Sequence, residues 1–220
     1  MLLGKKHVSK GSSAFFASIC CRGGSPGAGA TMRTRRRQDG AMQLAHSTDQ
    51  KGPWHMTTSV PSTCDLCDAH KGDTSGAFRV LPPVFQSYGG VAAFGGPVST
   101  VKCFEDNSLV KAAVDSPGRG RVLVVDGGAS LRRALVGGNL AASAARNGWA
   151  GIVVNGCVRD VAELQAEPVG ICALGLMPLP TDKRGEGQAD VAVQVQGVWV
   201  RPGDWLYADA DGVVVSDRSL

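Results

Sequence analysis

The chain has 220 residues, room for one domain of ordinary size plus a tail. Its 43% hydrophobic and 19% charged residues are those of a globular protein with a core, and it holds no run of about 18 apolar residues from which to build a membrane span. The net charge of +4 is uneven: residues 1–55 carry nine Lys/Arg against two Asp/Glu, a surplus of +7, while residues 56–220 stand at −3, which argues against direct nucleic-acid binding by the folded part.

Residues 1–55 have no sustained periodicity. Gly23–Ala30 is rich in Gly, Ala, Pro and Ser, and Arg33–Arg37 is a basic cluster, so the composition predicts a disordered leader. Apolar Ala14–Cys21 follows Lys5, Lys6 and Lys10, and the acid-poor stretch resembles an organellar transit peptide; the other reading is an upstream extension with Met56 as the start. The expectation is a leader over residues 1–55 and one domain over 56–220. It is cytoplasmic, or mitochondrial if the leader is a transit peptide. Seven Cys, an odd number with scattered spacing, predict free thiols in a reducing compartment rather than a disulfide framework.

From Pro61 the texture changes. The run from Pro61 to His70 reads as a short helix capped by Ser62 or Thr63. Gly89 to Phe104 reads as strand, turn and strand. Glu105 to Ser116 has helical spacing and ends at Pro117–Gly118. Arg121–Asp126 is a buried strand stopped by Gly127–Gly128. The segment from Ser130 to Gly148 reads as an Ala-rich helix broken at Gly137–Gly138. Gly151–Gly156 is a strand, the run starting at Val158 a short helix, and Gly170–Leu176 a strand. Asp190–Val200 alternates like a hairpin, and Asp204–Ser216 closes a sheet around an Asp211–Gly212 turn. Strands alternate with helices to about residue 175 and then follow one another, which predicts a mixed α/β sandwich.

Three spots could carry chemistry. Gly137–Leu140 opens a helix, where unpaired amides and the helix dipole favour a carboxylate and two glycines allow close approach. Arg159 and Asp160 are adjacent just beyond a strand, Arg offering a fork for a carboxylate and Asp a hard oxygen for Mg²⁺ or Mn²⁺. Asp126 ends another strand and is a second acid to consider near the site. Each also has a bland reading: a helix kink, a surface ion pair and a turn residue. Cys64 and Cys67 have metal-like spacing, but no second Cys/His pair follows, so a zinc site is not expected. The chain lacks a nucleophile elbow and a phosphate loop, against a hydrolase triad or a nucleotide enzyme.

Taken in order, FGGPVSTVKCFEDN, GRGRVLVVDGGASLRRALVGGNLAASAARNGWAGIVVNGCVRD and GEGQADVAVQVQGVWVRPGDWLYADADGVVVS resemble the family named for regulator of ribonuclease activity A, which includes 4-hydroxy-4-methyl-2-oxoglutarate aldolases. The resemblance runs from about Thr63 to Ser216. It implies a β-β-α sandwich of the swivelling-domain type, assembled as a ring-shaped homotrimer or a dimer of trimers, with active sites between subunits. It implies a class II lyase that cleaves 4-hydroxy-4-methyl-2-oxoglutarate to pyruvate and decarboxylates oxaloacetate with a divalent cation, Mg²⁺ or Mn²⁺. By position, Gly137, Gly138, Asn139 and Leu140 match the segment that binds the substrate carboxylate, Arg159 the substrate-binding Arg, and Asp160 the metal-binding Asp. Arg159 and Asp160 are then the catalytic pair, with Glu163 as the acid three residues on. Many aldolase members carry Asp or Glu where this chain has Gly138, and they draw on a Glu from a longer C-terminus of the neighbouring subunit. Those departures imply decarboxylation faster than aldol cleavage. The regulator branch implies an alternative, a non-catalytic protein that binds a ribonuclease or RNA helicase.

Overall fold

The computed structural model describes residues 60–220. The leader read over residues 1–55 and the choice of Met56 as a start lie outside the described residues. No described helix is long and apolar enough to cross a membrane.

Sixteen elements follow in chain order. They are α1 (Thr63–His70), β1 (Phe78–Val80), β2 (Gln86–Ser87), β3 (Phe94–Lys102), α2 (Ser108–Val114), β4 (Val122–Asp126), β5 (Ala134–Val136), α3 (Gly138–Arg146), β6 (Gly151–Val158), α4 (Val161–Ala166), β7 (Gly170–Leu176), β8 (Gln188–Ala189), β9 (Val193–Val195), β10 (Val198–Val200), β11 (Trp205–Ala208) and β12 (Val213–Ser216).

The large sheet runs β1-β12-β11-β3-β4-β6-β7-β2. Its middle, β3-β4-β6-β7, is parallel, and β11, β12 and β1 are antiparallel. β3 joins the halves: Phe94–Pro97 pair with β11 and Val98–Lys102 pair with β4. Pro97, which has no amide to give, sits at the change of partner.

The parallel strands bury both faces, which is why they read as unbroken apolar runs. Leu123, Val125, Ile152, Val154 and Ile171 face a helical layer, packing with Val110, Val114, Ala141, Ala144 and Leu164. Val122, Val124, Val153 and Cys172 face the other way, onto Val193, Val195, Val200, Leu206, Val213 and Val215. The result is a mixed α/β arrangement in three layers.

Three expectations differ from the structure. Gly89 to Phe104 gives a single strand, β3; the glycines before it follow the start of β7, with the Val91 amide donating to the Val169 carbonyl at 3.4 Å. Residues 134–136, expected in a helix, form β5, whose Ala134 and Val136 pair in parallel with Cys157 and Val158 at the end of β6. An apolar run of three carries too little periodicity to separate strand from helix, and the pairing with β6 decides it. The Ser62 side chain makes no cap bond to α1. Asp209, from the β11–β12 turn, caps that helix instead, accepting from the Thr63 amide at 2.8 Å and the Thr63 hydroxyl at 2.7 Å.

Candidate active site

β5 and β6 end side by side and each feeds a helix, so the N-termini of α3 and α4 come to rest together. The Arg159 amide, just past β6, donates to the Val136 carbonyl at 3.0 Å and ties the two ends. Gly137 is extended, at φ −137° and ψ −177°, and leads directly into α3.

Asp160 sits in the left-handed region at φ 62° and ψ 47°. That conformation costs a non-glycine residue about 1–2 kcal/mol. Among the described residues five other non-glycine positions have positive φ, but Asp160 alone among them lines the cleft described below. The twist turns its carboxylate back over α3: Oδ2 accepts from the Gly138 amide at 3.3 Å and lies 3.3 Å from Arg159 Nε. Both side chains remain 37% exposed, so neither charge is sequestered from a ligand.

The two glycines are required by what lies above them. A Cβ on Gly137 would come within 2.6 Å of Asp160 Oδ2, and one on Gly138 within 1.7 Å of Glu163 Oε2. The carboxylate of Glu163 therefore occupies the space that a side chain at position 138 would enter. The acid absent from the α3 side is matched by one reaching across from the first turn of α4.

The Gly138 amide is spent on Asp160 and the Leu140 amide on the Gly137 carbonyl, at 3.0 Å. The Asn139 amide, in the first turn of α3, has no helical carbonyl to reach and remains for a ligand.

These groups open onto a cleft of about 470 Å³, lined by Gly137, Asn139, Leu140, Arg159 and Asp160 together with Asn107, Lys111, Ala134, Pro180, Thr181 and Lys183. The sequence-predicted residues thus converge. Asp126 does not join them. It is buried at a separate cavity, accepting from the Gly128 amide at 3.0 Å and Asn155 Nδ2 at 3.1 Å, as a turn residue would. The Cys64 thiol is exposed and pushed up, first by the charge of Asp211, so it is no activated nucleophile.

Sequence reasoning missed the far wall. Asn107, Lys111, Thr181 and Lys183 come from α2's entry and from the segment after β7. Only the Pro-rich, basic composition of Pro178–Arg184 could have signalled Thr181 and Lys183, and nothing local marks Asn107 or Lys111.

A family model described as RraA-like: Aldolase/RraA matches residues 63–215. The chain is 71% identical over 173 residues to a protein of Albidiferax ferrireducens that carries the provisional name 4-hydroxy-4-methyl-2-oxoglutarate aldolase; the match covers 75% of this chain and 99% of that one. A Cupriavidus necator protein with the same provisional name is 58% identical over 161 residues, covering 73% and 98%. Among solved structures, the RNA-processing inhibitor RraA of Thermus thermophilis superposes with a TM-score of 0.69 at 46% identity, over 73% of this chain and 94% of that one.

Proposed function

The chain belongs to the aldolase/RraA family, and from that premise we propose that the cleft is the active site of a lyase. It cleaves 4-hydroxy-4-methyl-2-oxoglutarate to two pyruvates and decarboxylates oxaloacetate, assisted by a divalent cation. The observation that carries the reading is the strained Asp160, whose carboxylate meets the guanidinium of Arg159 and a glycine-opened helix start in one cleft, with the Glu163 carboxylate lying against Gly138 of that helix start.

The donors suit a hard cation. Two carboxylates three residues apart face the same turn, and no cluster of three or more Asp, Glu, His or Cys exists among the described residues to cage a metal. Mg²⁺, which keeps several waters and accepts one or two protein carboxylates, fits that set better than zinc. Asp160 would hold the cation, which supplies the Lewis acid for charge developing on the substrate's keto oxygen.

The protein's own residues do the rest. Arg159 and the Asn139 amide fix the α-keto acid's carboxylate. In aldol cleavage, Glu163 takes the proton of the C4 hydroxyl, the C3–C4 bond breaks, and its electron pair passes to C3 as a pyruvate enolate. The other half leaves as pyruvate, and the enolate then takes a proton at C3. Oxaloacetate needs only the electron sink: CO₂ departs and the same enolate remains. Glu163 would stand in for the carboxylate that Gly138 lacks, which equips the chain for aldol cleavage beside the decarboxylation expected to be the faster.

The test is to compare wild type with Glu163→Gln on both substrates. Loss of the base lowers aldol cleavage about 100-fold or more, with decarboxylation falling far less. Equal losses on the two substrates would remove Glu163 from that role.

We propose in addition that the chain folds as the swivelling-domain type of β-β-α sandwich and assembles as a ring-shaped trimer. Exposed Phe104, Leu131, Leu176, Leu179 and Trp199 support this as surface in need of cover. A sedimentation mass of one chain contradicts it. A reducing, cytoplasmic setting is supported by the five unpaired cysteines of the described residues. The resemblance to an RNA-processing inhibitor favours a second reading, a regulator acting by protein contact. That reading predicts ribonuclease or helicase capture by an Asp160→Ala variant as strong as by wild type, and no turnover by either.

A further inference from the structure

The cleft has a second end with unsatisfied chemistry. β5 spans the two. Its Val136 carbonyl holds the Arg159 amide, while Ala134, two residues upstream, receives the segment that follows β7: the Ala134 amide donates to the Leu179 carbonyl at 2.8 Å and Ala134 bridges to Pro180. Two strand residues separate these points by roughly 6–7 Å, a span suited to a short diacid.

At this end two buried polar atoms have no partner, Thr181 Oγ1 and Asn107 Oδ1, and both residues line the cleft. Asn107 is held by its other side, with Nδ2 donating to the Leu135 carbonyl at 3.0 Å. An orphaned buried polar atom costs about 1–3 kcal/mol, and of these two the Thr181 hydroxyl can donate to an anionic ligand, whereas Asn107 Oδ1 only accepts. Lys183 also lines the cleft, and its acidic neighbours are engaged elsewhere, Asp182 with Arg133 at 3.7 Å and Glu186 with Arg184 at 3.2 Å. Lys111, the other lysine of the cleft, is paired with Asp115.

The segment is fixed from outside the cleft. Asp106, fully buried, accepts from the Arg184 amide at 2.7 Å and the Glu186 amide at 3.1 Å, and from Ser108 at the start of α2 at 2.8 Å. The Gly185 amide adds a bond to the Ser108 hydroxyl at 3.2 Å. Three backbone donors on one buried carboxylate make a latch rather than a passing contact.

We infer that Pro180–Lys183 reads the non-reacting end of the substrate. Thr181 Oγ and Lys183 Nζ bind the distal carboxylate of a dicarboxylic α-keto acid, and Asp106 is the positioning residue that holds this strap in place. The inference rests on the lyase reading above. It makes the enzyme selective for diacids over α-keto acids that end in a methyl group.

The test measures kcat/KM with Mg²⁺ for 4-hydroxy-4-methyl-2-oxoglutarate and for 4-hydroxy-2-oxopentanoate, which lacks the distal carboxylate. Wild type is compared with Lys183→Gln, Thr181→Val and Asp106→Asn. Each substitution lowers the diacid-to-monoacid ratio about ten-fold, the loss of one charge-assisted hydrogen bond. For Asp106→Asn the loss falls on KM with kcat held. Ratios equal to wild type in both Lys183→Gln and Thr181→Val overturn the assignment, as does an Asp106→Asn that loses both substrates alike. Exchange of pyruvate C3 protons into D₂O by wild type separates the two levels. Exchange with unchanged ratios sinks the strap alone, whereas neither exchange nor cleavage sinks the lyase reading and the strap together.

Discussion

At the scale of residues, Asp160 shows how a site departs from what stability alone would choose. Glycine would adopt φ 62° without penalty, yet an acid stands there, bent over the start of α3 beside Arg159. Strain of this kind persists where the surrounding structure imposes it and the function needs it. Asp160→Gly should therefore remove the strain and lose all metal-assisted turnover without lowering the melting temperature. Calorimetry beside a pyruvate assay checks this; a destabilised variant, or one that keeps turnover, contradicts it. Arg159, Asp160 and Gly137–Leu140 were legible in the sequence because each carries its chemistry in its residue type and local spacing. The place of Glu163 was only half legible. Its spacing from Asp160 could be read, but its reach to Gly138 belongs to the packing of α4 against α3.

At the scale of elements, long apolar strands and amphipathic helices follow from pattern, and short segments follow from their neighbours. β4, β6, β7 and the β9–β10 hairpin fall where the sequence puts them. β5 does not, since three apolar residues become a strand only by lying along β6. The strap after β7 could not be placed from the sequence for a related reason. It has no period, and its position depends on Asp106, about 80 residues earlier in the chain. Two such long-range carboxylates have a measurable signature. Burial works to raise Asp106 and Asp209, but the bonds that each accepts outweigh it and hold both below the usual carboxylate range. A carboxylate depressed in the folded state adds stability that is present above its unfolded value and lost as pH falls through its folded one. Thermal stability should thus decline as pH drops below about 4, the unfolded Asp value. Asp209→Asn, which weakens the α1 cap, should flatten part of that decline. Melting temperatures that do not change between about pH 5 and pH 2 would contradict the linkage.

At the scale of the whole molecule, the layers exist to hold two strand ends together. Helices cover one face of the parallel strands and the β9–β12 layer covers the other, so β6 is fixed from both sides and holds β5 along its end. The cleft lies beyond their carboxyl ends, where α/β sheets gather ligands. One end of it offers a carboxylate, a guanidinium and a free amide, and the other offers an unpartnered hydroxyl, an amide oxygen and an ammonium group. We propose that this cleft stabilises a pyruvate enolate, with a divalent cation held at Asp160. The most direct measurement is pyruvate release from oxaloacetate by the purified protein, first with Mg²⁺, then with EDTA, then with Mg²⁺ restored. Release above the uncatalysed rate is expected, with its loss in EDTA and its return with the metal. Release that persists unchanged in EDTA, or no release with either Mg²⁺ or Mn²⁺, would contradict it.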